Sequence, residues 1–236
     1  MTLTTTPPLF TETRNSLHRV ARYVVTPRRQ KVDGRERLIQ LPGGFGTPVL
    51  GDDTQMRIEG TELVFVDGGT ETREPITSLR QVGDLVGIAP SDHTAKPDIP
   101  QMGDIDEQLN LDDESARFLA RWYQFGSAVL GQLREDEESL NATEIVIWSH
   151  HLDPSIELFA DAQTASLGAS AGDGAIDEPY LYITPWSTEG LSPGDYWNAE
   201  SFFGSAVTIS QLVASGDPLG TAIAFFRTGR ELLAQR

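Results

Sequence analysis

T-E-I-V-I-W-S-H-H-L-D-P-S-I-E-L-F-A-D, residues 143–161, carries two of the chain's four histidines side by side, next to a tryptophan and an aspartate. Ile145, Val146, Ile147 and Trp148 form a short β-branched and aromatic run, the composition of a buried strand. Pro154 has no N–H to give a sheet ladder, so that strand is expected to end before it. Ile156, Leu158 and Ala160 then alternate with Glu157, Phe159 and Asp161, the period of a second, half-buried strand. His150, His151 and Asp153 therefore fall in the bend between two strands. Imidazole and carboxylate groups at such a bend reach a ligand without giving up ladder hydrogen bonds, and ordinary solvated turn residues occupy the same kind of position.

Upstream of this stretch, Leu17, Val20, Ala21 and Val24 fall at i, i+3, i+4 and i+7, one apolar helical stripe, which Pro27 is expected to end. His18, beside Leu17 at the stripe's edge, reads as a packed or hydrogen-bonded core histidine. Short strand-like runs follow at 38–41, 55–59, 62–66 and 70–74. Glu59-Gly60-Thr61 and Asp67-Gly68-Gly69 are hairpin connections, too short for crossovers, so the region is expected to be an antiparallel meander. Pro42-Gly43-Gly44-Phe45-Gly46-Thr47-Pro48 lacks the helix N-terminus that a phosphate loop requires and reads as a bend or bulge between strands. Thr77 is placed to cap a helix carrying Leu79, Val82 and Val86. Residues 89–111, rich in Pro, Asp and Gly, read as a surface linker.

Downstream of the linker, Phe118, Leu119, Trp122, Gly126, Val129, Leu130 and Leu133 mark the longest helix, starting at Asp113 and expected to stop near Leu133, before a run of acids. Beyond the bend lie the small-residue segment 168–174, a strand at 180–183 with Tyr180 and Tyr182 on one face, and a strand near Ala206, Val207 and Ile209. A last helix is opened by Asp217-Pro218, a capping residue followed by Pro at the first helical position. The expected fold class is α+β: antiparallel sheets covered by three or four helices, with residues 11–88 and 112–236 as subdomains joined at 89–111.

At 236 residues with 39% hydrophobic and 22% charged side chains, the chain can bury a substantial core. It has no cysteine, which excludes disulfides, thiolate metal sites and a cysteine nucleophile. No apolar run reaches membrane-spanning length and the N-terminus shows no secretory pattern, so neither a membrane partner nor export is expected and cytoplasm is the expected compartment. The net charge of −17 is uneven: residues 1–37 carry eight Lys/Arg against three Asp/Glu, and residues 135–236 carry three against sixteen. So acidic a C-terminal half repels phosphate backbones, and nucleic acid is not an expected partner. Arg28, Arg29, Lys31, Arg35 and Arg37 form a basic cluster, read as a solvated loop facing the acidic half, with an anion or nucleic-acid patch as the alternative.

Leu17-His18, the 42–48 glycine box, W-S-H-H-L-D at 148–153, G-A-S-A-G-D at 168–173, E-P-Y-L-Y-I-T-P-W at 178–186 and Y-W-N-A at 196–199 occur in an order that resembles a family of actinobacterial proteins without an assigned activity. The resemblance spans roughly residues 15–234, and six boxes in order make it specific. It implies no substrate or cofactor. The family's bend usually reads W-P-E-H-F-D; this chain keeps Trp148, His151 and Asp153, and has His150 where the family has a carboxylate.

Three functions compete on these residues. The first is small-molecule binding, with Trp148, Tyr182, Trp186 and Trp197 as apolar walls and His151, Asp153 and Asp173 as the orienting polar groups. The second is an enzyme. His150, His151 and Asp153, with Glu157 or Asp173, would hold a divalent ion, or His151 and Asp153 would act as an acid–base pair with Ser149 or Ser170 as nucleophile. Neighbouring side chains of an extended segment point to opposite faces, which counts against His150 and His151 sharing an ion, and no nucleophile-elbow pattern is present. The third is a structural or interaction module in which the same residues are core and turn. The first is the expected function, with the pocket near the bend.

Overall fold

The computed structural model describes residues 3–91, 100–136, 141–160 and 163–235. The chain is an α+β protein whose sheets are antiparallel. It divides into two compact units, each discontinuous in sequence. The first holds residues 6–121 together with 146–152; the described residues of the second fall within 3–5, 122–145 and 153–235. This division differs from one drawn at 89–111. Residues 92–99 lie outside the described ones, and residues 100–111 are tied into the first unit: Tyr23 donates to the Pro100 carbonyl at 2.7 Å, Arg19 to the Met102 carbonyl at 2.6 Å, and Leu109 N–H to the Thr77 carbonyl at 2.8 Å. The bend is shared out too, Trp148 to Leu152 in the first unit and Asp153 onward in the second.

In the first unit, α1 (Phe10–Val20), a π-helical turn (Ala21–Val25) and α2 (Thr26–Asp33) run on without a break. The end expected at Pro27 does not occur. In a regular helix Pro27 would press its ring on the carbonyl one turn back and leave that carbonyl without a donor. The π turn widens the backbone ahead of the proline, and the Tyr23 carbonyl accepts the Ser91 N–H at 3.0 Å instead. Arg28, Arg29 and Lys31 consequently lie on a helix rather than on a solvated loop, and Arg29 is buried. Gly34, left-handed at φ 65°, closes α2 and turns the chain back.

The sheet of this unit runs β1 (Ile39–Leu41), β2 (Gly44–Gly46), β3 (Thr54–Glu59), β4 (Glu62–Asp67) and β5 (Thr70–Pro75), in sequence order. Gly68 and Gly69, both with positive φ, make the two-residue turn between β4 and β5 that the sequence announces. The 42–48 box is a turn followed by strand β2. A Cβ on Gly44 or Gly46 would lie 2.1 Å from a carbonyl oxygen of β3, so these glycines allow backbone to press on backbone. Helix α3 (Leu79–Val86) is capped by Ser78, whose hydroxyl accepts the Gln81 N–H, one residue beyond the cap expected at Thr77.

Helix α4 (Asp113–Asp136) crosses the division between Arg121 and Trp122 and runs past the expected stop at Leu133; Glu137 and Glu138 lie outside the described residues. In the second unit the strands are β6 (Asn141–Ala142), β8 (Asp153–Ala160), β9 (Gln163–Ser170), β10 (Tyr180–Pro185) and β11 (Ser205–Thr208), in the order β11-β10-β9-β8-β6. Asp161, the last residue of the alternating pattern, lies outside the described residues. Trp122 donates its indole N–H to the Ser170 carbonyl at 2.8 Å, and Gly126 leaves room for Ala169, so α4 lies close on β9. Ile209, expected in a strand, instead opens the short helix α5 (Ile209–Ala214), because Thr208 and Gln211 form a reciprocal capping box there. Helix α6 (Pro218–Ala234) starts at the expected Asp217 cap. The described helices α1 to α6 exceed the three or four expected, because α2 and α5 had no periodic signature of their own.

Candidate functional site

The bend of the first unit begins with β7 (Val146–Trp148), held by a pair of hydrogen bonds at 2.8 Å each way between Leu38 and Ile147. That antiparallel register sets Arg37 opposite Trp148, and the Arg37 guanidinium lies 4.8 Å from the Trp148 ring centroid. The chain then turns sharply: the Trp148 carbonyl accepts both the His151 and the Leu152 N–H, and Leu152 adopts φ 51°, a conformation branched apolar residues rarely take. Leu152 is buried, and its burial holds the turn. The result is a row of rings, Trp148 to His150 at 5.5 Å and His150 to His151 at 4.6 Å between centroids. Trp148 and His150 are half-buried and His151 is exposed.

The turn is tied to α1 by His18, whose Nε2 donates to the Ser149 carbonyl at 2.8 Å. Burial, above all, holds the His18 pKa down, to about 3; the positive charge of Arg22 and the proximity of His151 and Arg14 act in the same direction, against the bond to Ser149. His18 is thus a neutral donor that fixes the bend, as a hydrogen-bonded core histidine. Arg14, His18 and Arg22 fall at i, i+4 and i+8, and all are buried. That spacing was visible in the sequence, but nothing there said the face would be covered.

In the second unit, Asp153, Asp173, Tyr180 and Tyr182 come together. Tyr180 and Tyr182 share one face of β10, with ring centroids 6.2 Å apart. Tyr182 donates its hydroxyl to Asp153 Oδ2, and Tyr180 donates to Asp173 Oδ2 at 2.6 Å. Asp173 also accepts the Ala175 and Ile176 N–H groups, at 2.7 and 2.9 Å, closing its loop. Burial first, then the neighbouring carboxylates, push both tyrosine pKa values up, so both phenols stay protonated and donate. Gly168 lies under the Tyr182 ring, where a Cβ would approach to 2.6 Å; the glycine of the G-A-S box serves packing.

Trp186 is not part of that cluster. It stands four residues beyond Tyr182, one past the end of β10, about 13 Å at strand rise. It is 61% exposed, donates to Ser166 Oγ at 3.0 Å, and meets Phe159 edge-on. Of the expected binding residues, then, Trp148 and His151 belong to the first unit, Asp153, Asp173 and Tyr182 cluster in the second, and Trp186 lies toward the other end of its sheet. Trp197 is buried against Tyr196 and Phe203. A cavity of the second unit, lined by Leu133, Ile156, Leu158, Leu167 and Phe226, measures about 10 Å³, room for one water at most. Among the described residues no group of three or more His, Asp or Glu side chains is placed to hold a metal ion, and no helix is long and apolar enough to cross a membrane.

No family model, no curated protein and no solved structure matches the chain.

Proposed function

We propose that the protein binds a small molecule at the bend of its first unit, against the rings of Trp148, His150 and His151. The observation that carries this reading is the row itself: three rings in sequence, partly open, on a turn anchored beneath by Leu152 and His18. A rigid turn with accessible flat groups offers a ligand contact area at low ordering cost. His150 and His151 add ring nitrogens that donate or accept according to tautomer.

The reading differs from a purely structural role in what it requires of Trp148. A structural tryptophan is needed in the core; Ile147 and Leu152, on either side, already fill the core positions here. The test is a metabolite screen by thermal shift, repeated on Trp148→Leu and His151→Ala. A ligand present at 100 times its Kd adds about 2.7 kcal/mol to stability, a shift of several degrees. The expected result is a compound that raises the melting temperature of the native chain and loses that effect in both variants. A hit that shifts the variants equally, or no hit across the screen, sinks the reading.

A further inference from the structure

We infer that Arg29, Arg35 and Arg37 form the oxyanion-holding end of the site at the bend, and that the ligand is a small organic acid or phosphate ester. This deepens the binding reading and rests on it for the ring contacts.

Arg29 is 6% exposed, and its Nε and Nη1 groups are buried without a hydrogen-bond partner among the described residues. A buried donor left unmade costs its full desolvation, and a buried guanidinium more than a neutral group. The fold increases that cost: the αL turn at Gly34 brings the chain back so that Arg35 and Arg37 place two further positive charges within electrostatic reach of Arg29. Burial, partly offset by Asp33 and reinforced by those two arginines, lowers the Arg29 pKa. Among the described residues, Asp33 gives no hydrogen bond to Arg29 Nε or Nη1; its Oδ1 accepts the Gly51 N–H at 2.9 Å.

Arg29, Arg35 and Arg37 outnumber Asp33 and the intervening Glu36, which leaves an excess of positive charge in a protein of net charge −17. Repulsion among them is relieved by an anion that accepts from Arg29 and is flanked by Arg35 and Arg37, the planar donors suited to carboxylate and phosphate. Arg37 connects this cluster to the rings, because its guanidinium lies over Trp148. Arg28 is otherwise engaged, donating to Asp52 at 2.6 Å and to the Val86 carbonyl at 3.0 Å.

The experiment uses the full chain with benzoate, its neutral counterpart benzamide, and inorganic phosphate as probes, at constant ionic strength set with chloride. Side-chain Nε–H resonances of ¹⁵N-arginine report the anion, and the part of the tryptophan fluorescence that is lost in Trp148→Leu reports the rings. Benzoate is expected to bind at least ten-fold tighter than benzamide and to move the Arg29 resonance saturably. The double change Arg35→Gln and Arg37→Gln, at exposed positions, is expected to remove that preference, and Arg29→Lys to weaken it where Arg29→Gln fails to fold. A saturable effect of phosphate on Arg29 at lower concentration than benzoate assigns the ester class, and the reverse the carboxylic acid class. Equal binding of benzoate and benzamide together with no phosphate response overturns the inference. If instead Trp148→Leu leaves the benzoate isotherm unchanged, the ring reading fails while the anion cluster stands; if benzamide quenches Trp148 as well as benzoate does, the ring reading stands and the cluster fails.

Discussion

Tyr180 and Arg29 are both polar side chains buried in the protein, one in each unit, and they differ in what they meet there. Tyr180 ends on Asp173, and beside it Tyr182 ends on Asp153. Arg29 ends, at two of its nitrogens, on nothing among the described residues that accepts a hydrogen bond. A satisfied pair stabilises the fold that makes it, whereas an unsatisfied guanidinium is a cost the fold carries. The comparison teaches where to test for a ligand: the aspartates and tyrosines that resemble a site in sequence meet one another, whereas the basic segment that reads from sequence as a solvated loop includes a guanidinium buried on α2.

The sharpest test of the satisfied side is Trp122→Ala, which removes both a core side chain and the donor to Ser170, the residue paired with Tyr180. Urea denaturation should show a loss of about 4 kcal/mol. Tyr180→Phe should cost about 2 kcal/mol in the same assay, the value of a hydrogen bond to a charged group; a neutral result would mean that the tyrosine pair is not stabilising and would break the contrast.

His18 tests the first unit through pH. Its pKa of about 3 in the folded chain lies below the ordinary 6.5, so between those values the unfolded chain binds the extra proton. Stability from this group is therefore full above pH 6.5 and falls as the pH drops toward 3, by about 1.4 kcal/mol per pH unit. His18→Gln should flatten the acid side of the stability profile by that slope, and an unchanged slope would show that His18 is not held neutral. Arg29→Met should go the other way from the tyrosine change, stabilising the ligand-free chain by about 1 kcal/mol, since an unpartnered donor is replaced by an apolar stem. A loss there would mean that Arg29 already stabilises the fold. Smallest of all, Arg73→Gln in the exposed ladder with Glu59, Glu62 and Glu71 should leave the denaturation midpoint unchanged within error.

Much of the fold was legible locally. The Gly68-Gly69 turn, the Asp217-Pro218 helix start and the alternation along β8 follow from φ preference, capping and pleat, which act over a few residues. The continuation through Pro27 was not legible, because it depends on Ser91 supplying a hydrogen bond from far along the chain. Nor was the partition of the bend between two units, since W-S-H-H-L-D is one uninterrupted string in sequence.

The sequence by itself determined the class of the protein, its hairpins, its helix starts, its lack of thiol chemistry and the shared face of Tyr180 and Tyr182, because periodicity and composition act locally. Only the tertiary structure decided that Asp153 meets a tyrosine, that His18 is a buried neutral anchor and that Arg29 is buried with two nitrogens unpartnered among the described residues. Burial and electrostatic environment are properties of what packs against a residue, and residues distant in sequence supply that.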